Sequence, residues 1–176
     1  MEISWNNFFC HVSFGLHELN GMVMIYQNRK ELNKNIQKYG CYYVDLVNIY
    51  AEVAEHEIQY ETVNAAYVMS TRVKNYAGVP YLGKDCYVND VHGIGQILSG
   101  LVGIPVELFK VKEYEEFTHV IGYFKRVTNG GVVVGHFVEL FPDKDIVKRD
   151  PWYGGSKTAR EGILKSKRYI KARRLG

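Results

Sequence analysis

The chain has 176 residues, of which 47% are hydrophobic and 23% are charged, and its formal net charge is +3. This composition is typical of a folded domain with a sizeable core, and so small a charge gives no reason to expect nucleic-acid binding. No apolar run reaches the roughly 18 residues of a membrane-spanning helix. The first basic residue is Arg29, so the basic start of a signal peptide is missing. We therefore expect a cytoplasmic protein without a membrane partner.

The cysteine pattern gives no sign of a disulfide framework or a zinc site. Cys10, Cys41 and Cys86 are odd in number, widely spaced, and form no Cys-x-x-Cys pair. Neither a metal signature nor a dinucleotide motif is present, so we expect no metal and no cofactor. Each cysteine then has to be judged as a core residue or a nucleophile.

The order of predicted elements indicates an α+β domain. Residues 1–24 are predicted to be an N-terminal extension and residues 25–176 a single domain, because no repeat or linker interrupts the latter. Helices are predicted over 41–54, over 62–76, and from the cap candidates Asn89 and Asp90 to Gly103. Strands are predicted over 117–127, 132–141, 145–149 and 168–172, with a turn at Asn129-Gly130-Gly131.

Cys41 follows Gly40 and opens the first predicted helix, which is apolar on most sides. The exposed amides and the dipole at a helix N-terminus favour a thiolate, the nucleophilic form of cysteine. A buried cysteine that packs as a small apolar residue would explain the same position. The helix position alone leaves both interpretations open.

His136 and Asp150 add a base and an acid. His136 is one polar residue among four aliphatic ones on its face of the predicted strand, which is typical of either a satisfied core histidine or a general base. If Pro142, Asp143 and Lys144 form a three-residue turn, Phe141 faces Asp145 and His136 faces Asp150. Directly opposed side chains lie roughly 4.5–5.5 Å apart at Cβ, so the carboxylate would orient the imidazole. A slip of one residue would break this pairing.

Gln37 lies four residues before Cys41. Its side-chain amide is a candidate oxyanion donor, with the Cys41 backbone N–H as the second donor. A surface glutamine on a loop is the alternative. The residues thus predict a Cys41–His136–Asp150 triad assisted by Gln37.

Three segments together resemble papain-like cysteine peptidases of the bacteriocin-processing type, and within them a poorly characterised phage- and prophage-associated group. These segments are Gln37-Lys-Tyr-Gly-Cys41-Tyr-Tyr, Gly135-His136-Phe137-Val138 and Asp150-Pro151-Trp152. The resemblance implies a papain-like fold, in which a central helix carrying the cysteine packs on an antiparallel sheet carrying the histidine and aspartate. It implies the same four site residues. Tyr42 stands where that family usually has glycine, and its glutamine usually lies further upstream than four residues.

The predicted function is hydrolysis of a peptide or related amide through a thioester intermediate. A different class of protein would use the same fold: a catalytically silent module whose cleft binds a peptide or a host factor. Nucleic-acid binding through the basic residues near the C-terminus is the third and least favoured interpretation, because no stacking platform accompanies them. Thiol reactivity separates the first two.

Overall fold

Residues 23–176 are described by a computed structural model, so the predicted N-terminal extension lies almost wholly outside the described residues. The described part has five helices and five strands. In chain order they are α1 (Lys34–Tyr39), α2 (Cys41–Ala54), α3 (Tyr60–Ser70), α4 (Val91–Val102), β1 (Val106–Val111), β2 (Thr118–Val127), β3 (Val133–Leu140), β4 (Val147–Arg149), α5 (Lys157–Glu161) and β5 (Ile163–Arg174).

All five strands belong to one antiparallel sheet in the order β1-β5-β2-β3-β4. Helices come first along the chain and strands second, so the predicted α+β class is confirmed. The main core lies between helices α2–α4 and the sheet, and a smaller core packs β2 and β3 against the segment around α5.

Helix α2 is central because its side chains are buried on nearly every side. Eleven of its fourteen residues are buried. Three of its polar side chains are tied to the surrounding backbone: the Tyr43 hydroxyl donates to the Val63 carbonyl at 2.9 Å and the Tyr50 hydroxyl to the Ile104 carbonyl at 2.6 Å. The Asn48 amide bonds both backbone groups of Ile25, at 2.9 and 3.0 Å. These bonds fix the helix, and with it the position of Cys41.

The turn between β3 and β4 is longer than predicted. Phe141 faces Ile146 through a 3.0 Å backbone hydrogen bond, whereas the three-residue turn would place it opposite Asp145. A bulge then shifts the register again, so Leu140 pairs with Val147 and Glu139 with Arg149. The predicted direct opposition of His136 and Asp150 is therefore wrong. Two shifts of one residue each restore the original face, however, so Asp150 becomes a diagonal neighbour of His136.

The sheet also differs from the prediction at its other side. β1, α1 and α5 were not predicted, and the last strand spans twelve residues rather than five. β5 lies between β1 and β2, so its alternating basic residues belong to an inner strand of the sheet. In residues 23–176, no helix combines the length and the apolar character needed to cross a membrane.

Candidate active site

Cys41 is the first residue of α2, and a single residue, Gly40, separates it from α1. A Cβ at Gly40 would lie 2.6 Å from the Ile36 carbonyl oxygen, so only glycine fits this abrupt joint. No side chain caps α2. The N–H groups of the first turn of α2, including that of Cys41, therefore have no acceptor from their own helix.

The His136 imidazole contacts Asp150 directly. Its Nε2 lies 2.7 Å from Asp150 Oδ1, and both side chains are largely buried. The carboxylate in turn accepts backbone N–H bonds from Trp152 at 2.9 Å and from Ser156 at 2.6 Å. The loop after β4 thus fixes the carboxylate, and the carboxylate fixes the ring.

The ring of His136 bonds Asp150 and lines the same cavity as the Cys41 thiol. Burial of the His136 ring lowers its pKa. Hydrogen bonding to Asp150 and to Cys41, together with the charges of both groups, has the opposite and larger effect. The pKa of His136 is therefore raised to about 10. Burial likewise raises the pKa of Asp150, but bonding to His136 outweighs it, so the net direction is downward. The predicted residues Cys41, His136 and Asp150 are therefore brought together in an arrangement that favours imidazolium beside carboxylate.

These residues adjoin a cavity of about 1090 Å³. Cys41 and His136 line it, and Trp152 and Ser156 of the loop that holds Asp150 line it too. A cleft of this size accommodates several residues of a peptide. The thiol is therefore accessible from a substrate-sized space while its partners are sheltered.

Gln37 does not join this cluster. Its side-chain nitrogen donates to the Leu32 carbonyl at 2.6 Å, and the residue does not line the cavity. Gln27 lines the cavity instead, and it is 98% buried. Its Nε2 donates to the Gln37 backbone carbonyl at 3.1 Å, and its backbone N–H donates to Pro151 at 2.6 Å.

Gln27, fourteen residues before Cys41, thus lines the cavity where Gln37 was expected, and Gln37 contributes a main-chain carbonyl that holds it. The one sequence signal for Gln27 was the family pattern, whose glutamine lies further upstream than Gln37. The turn that follows Gln27 and helix α1 bring Gln27 back to the cavity beside Cys41. The number of residues between Gln27 and Cys41 does not by itself reveal this return of the chain.

Asp45 is a second residue that the sequence analysis did not select. It lies one helical turn after Cys41, is buried, and its Oδ2 has no hydrogen-bond partner within residues 23–176. Burial, followed by the nearby Cys41 charge, raises the pKa of Asp45 well above its usual range. The buried position therefore favours the neutral form of the Asp45 carboxyl. The signal in the sequence for Asp45 is an acidic residue in the middle of an otherwise apolar helix.

Cys86 lines the same cavity but has a different environment. Burial raises its pKa to about 12, and the charges of Cys41 and Asp85 act in the same direction. It remains a protonated thiol at neutral pH, so it serves as a natural internal control for Cys41.

A second cluster is formed by residues of β2, β3, β4 and α2. Glu52, His119 and Glu139 bring one potential metal-ligand atom each to within 4.8 Å of one another. Lys148 bonds Glu52 at 3.2 Å and Glu139 at 3.1 Å, and Arg149 bonds both carboxylates as well. The protein's own cations therefore compensate this cluster, which leaves little charge for a metal ion.

No protein-family model, no curated protein and no solved structure matches this chain.

Proposed function

We propose that this protein is a papain-like cysteine peptidase or amide hydrolase with Cys41 as nucleophile. The observation that carries the proposal is the position of one imidazole, His136, between the Asp150 carboxylate at 2.7 Å and the cavity-lining thiol. A nucleophile, a base and a residue orienting the base are the three parts that nucleophilic acyl transfer requires.

The reaction begins with attack of the Cys41 thiolate on the carbonyl carbon of the scissile amide. The C–N bond breaks, His136 gives its proton to the leaving amine, and a thioester forms. Water then attacks the thioester with His136 as base. The C–S bond breaks, the acid is released, and the proton on His136 restores the ion pair. Asp150 keeps the ring in the correct orientation throughout.

An oxyanion hole is available beside the thiol. The Cys41 backbone N–H belongs to the uncapped first turn of α2, and Gln27 carries a second N–H on the nitrogen that already bonds Gln37. Two such donors stabilise the negative oxygen of the tetrahedral intermediate. Gln27 is buried, and hydrogen bonds hold both its backbone and its side chain. Its side-chain N–H is therefore a donor with a fixed position, as an oxyanion hole requires.

The architecture supports the papain-like assignment. A buried helix begins with the cysteine and packs against an antiparallel sheet, and adjacent strands β3 and β4 lead to the histidine and the aspartate. A fold alone does not establish activity, so the proposed function depends on the reactivity of the Cys41 thiol.

The proposal is tested by incubating the protein with fluorogenic peptides and with peptidoglycan fragments. We expect cleavage of at least one substrate, a mass increase on the Cys41 peptide that marks the thioester, and loss of both in Cys41→Ser. Cys86→Ser is the matched control and should keep both. Binding of peptides without cleavage and without adduct formation would instead favour the silent binding module.

A further inference from the structure

Arg168 of β5 projects from the face of the sheet that carries the main core. It pairs across the sheet with Ile121, and its guanidinium lies 4.4 Å from the Tyr42 ring centroid and 4.3 Å from that of Phe137. The two rings stack at 5.1 Å. Tyr42 directly follows Cys41, and Phe137 directly follows His136. The residues next to the thiol and the imidazole therefore hold this cation in place.

The Arg168 guanidinium has no carboxylate partner in the described part of the chain. Within residues 23–176, no carboxylate lies within 4.0 Å of it. Three other cations of the same strand are paired: Lys167 with Asp145 at 2.5 Å, Lys171 with Glu115 at 2.8 Å and Arg173 with Glu107 at 2.7 Å. Aromatic rings hold a guanidinium but leave its N–H groups available for an anion.

A buried polar atom nearby also lacks a partner. The Tyr42 side chain is 94% buried and lines the cavity, yet its hydroxyl makes no well-formed hydrogen bond in the described part of the chain. Burial raises the pKa of Tyr42 to about 12 and outweighs the nearby Arg168 guanidinium, which acts in the opposite direction, so the hydroxyl stays protonated and able to donate. An unpartnered hydroxyl beside an unpaired guanidinium suits an acidic ligand oxygen.

The rest of the cavity carries an excess of positive charge. Besides the residues around Cys41, its lining includes four cations and two acidic residues; they are Lys38, Lys110, Lys157, Arg168, Asp85 and Asp90. Asp90 is occupied as the cap of α4, where it accepts from the Gly93 N–H at 2.9 Å. The field in the cavity therefore favours an anionic ligand.

We infer that Arg168 binds a substrate carboxylate next to Cys41, so that the substrates are acidic peptides. This inference rests on the proposed hydrolytic function. The carboxylate belongs either to an Asp or Glu side chain or to a free peptide C-terminus. A planar guanidinium can hold either one through two parallel N–H bonds, with the Tyr42 hydroxyl as a further donor.

Binding tests the inference without turnover. Three pools of N-acetylated tetrapeptides are passed over immobilised Cys41→Ser protein: one with Glu and an amidated end, one with Gln and an amidated end, and one with Gln and a free carboxyl end. We expect at least about tenfold stronger retention of one carboxylate pool over the neutral pool. The pool retained identifies the source of the carboxylate.

Substitutions within the Cys41→Ser protein assign the preference to Arg168. Arg168→Gln should abolish the preference for carboxylate peptides. Arg168→Lys should weaken this preference without abolishing it, because lysine keeps the positive charge but cannot form the bidentate hydrogen bonds of a guanidinium. Lys165→Gln, which removes the same charge from an exposed position of β5, should leave it unchanged. Equal retention of all pools, retention of none, or a preference that survives Arg168→Gln would overturn the inference.

Cleavage of the same pools by the unsubstituted protein separates the two proposals. Retention of acidic peptides without cleavage would support the Arg168 site and contradict the hydrolase. Equal cleavage of neutral and acidic pools would support the hydrolase and contradict the Arg168 site.

Discussion

The protein contains two histidine–carboxylate pairs that look alike in isolation. His136 lies 2.7 Å from Asp150, and His119 lies 2.8 Å from Glu139. Residues 136 and 139 belong to the same strand, β3, and both pairs are shielded from solvent. Only the first pair adjoins a thiol and the cavity, while the second adjoins Lys148 and Arg149.

Neighbouring charges decide what each pair can do. Beside Cys41 and Asp150, the His136 ring is favoured in its protonated form. In the second cluster the carboxylate charge is balanced by cations that tie β4 to β3 and α2. Because Arg149 directly precedes Asp150, this second cluster stabilises the strand that leads to the Asp150 carboxylate.

The largest expected effect separates the two histidines. His136→Gln should reduce hydrolysis of a cleaved peptide at least about 10³-fold, because the general base and acid is lost. His119→Gln should change it by less than about threefold, because His119 touches neither the thiol nor the cavity lining. Steady-state rates on folded variants check this. Equal losses in both variants would contradict the division of roles.

Arg149→Met tests the structural role of the second cluster. The substitution leaves the buried Glu139 carboxylate without its main cation and should lower the free energy of unfolding by about 3–5 kcal/mol. Lys167→Met is the control, since its partner Asp145 is exposed, and it should cost less than about 1 kcal/mol. Urea unfolding followed by circular dichroism measures both. A negligible loss for Arg149→Met would show that the cluster does not hold β4.

Acid should weaken the second cluster. Burial raises the pKa of Glu139, but bonding to His119 and the charge of Arg149 outweigh it and lower the pKa to about 2. A depressed folded-state pKa contributes stability above the ordinary value of about 4.5, and this contribution is lost as pH falls toward 2. The stability difference between the unsubstituted protein and Glu139→Gln should therefore be constant near neutrality and shrink from pH 4.5 to 2. Unfolding curves at several pH values would contradict this if the difference stayed constant.

The smallest effect concerns the protonation of His136. Free imidazole titrates near 6.5, whereas the pKa of His136 is raised to about 10, so its ring should stay protonated between pH 6 and 8. In Cys41→Ser the thiolate is absent, so the pKa of His136 should fall by about one to three pH units. NMR of the ring protons measures both values. An ordinary titration near 6.5 in the unsubstituted protein would show that the pair does not form.

Local patterns in the sequence were enough to predict the start of α2, the β2–β3 hairpin and the Asp90 cap. The proximity of His136 and Asp150 was predicted correctly from a wrong register. Loop length and the bulge at Leu140 are set by packing around β4, which hydrophobic alternation does not reveal. The two shifts cancelled because side chains alternate with a period of two.

The missed residues have a different cause. Gln27, Asp45 and Arg168 reach the site from an extended segment, a buried helix turn and the last strand. Their shared location depends on long-range packing, above all on the insertion of β5 beside β2. Gln37 was chosen for its closeness to Cys41 in sequence, and its side chain is instead used in a local turn.

Alkylation of the two described cysteines tests the central claim most directly. Iodoacetamide is applied at pH 6 to the unsubstituted protein and to His136→Gln, and mass spectrometry follows the Cys41 and Cys86 peptides. We predict that Cys41 reacts at least about a hundredfold faster than Cys86, because a thiolate reacts and a thiol does not. His136→Gln should slow Cys41 by at least about tenfold and leave Cys86 unchanged. Equally slow reaction of both cysteines, with no response to His136→Gln, would contradict the account.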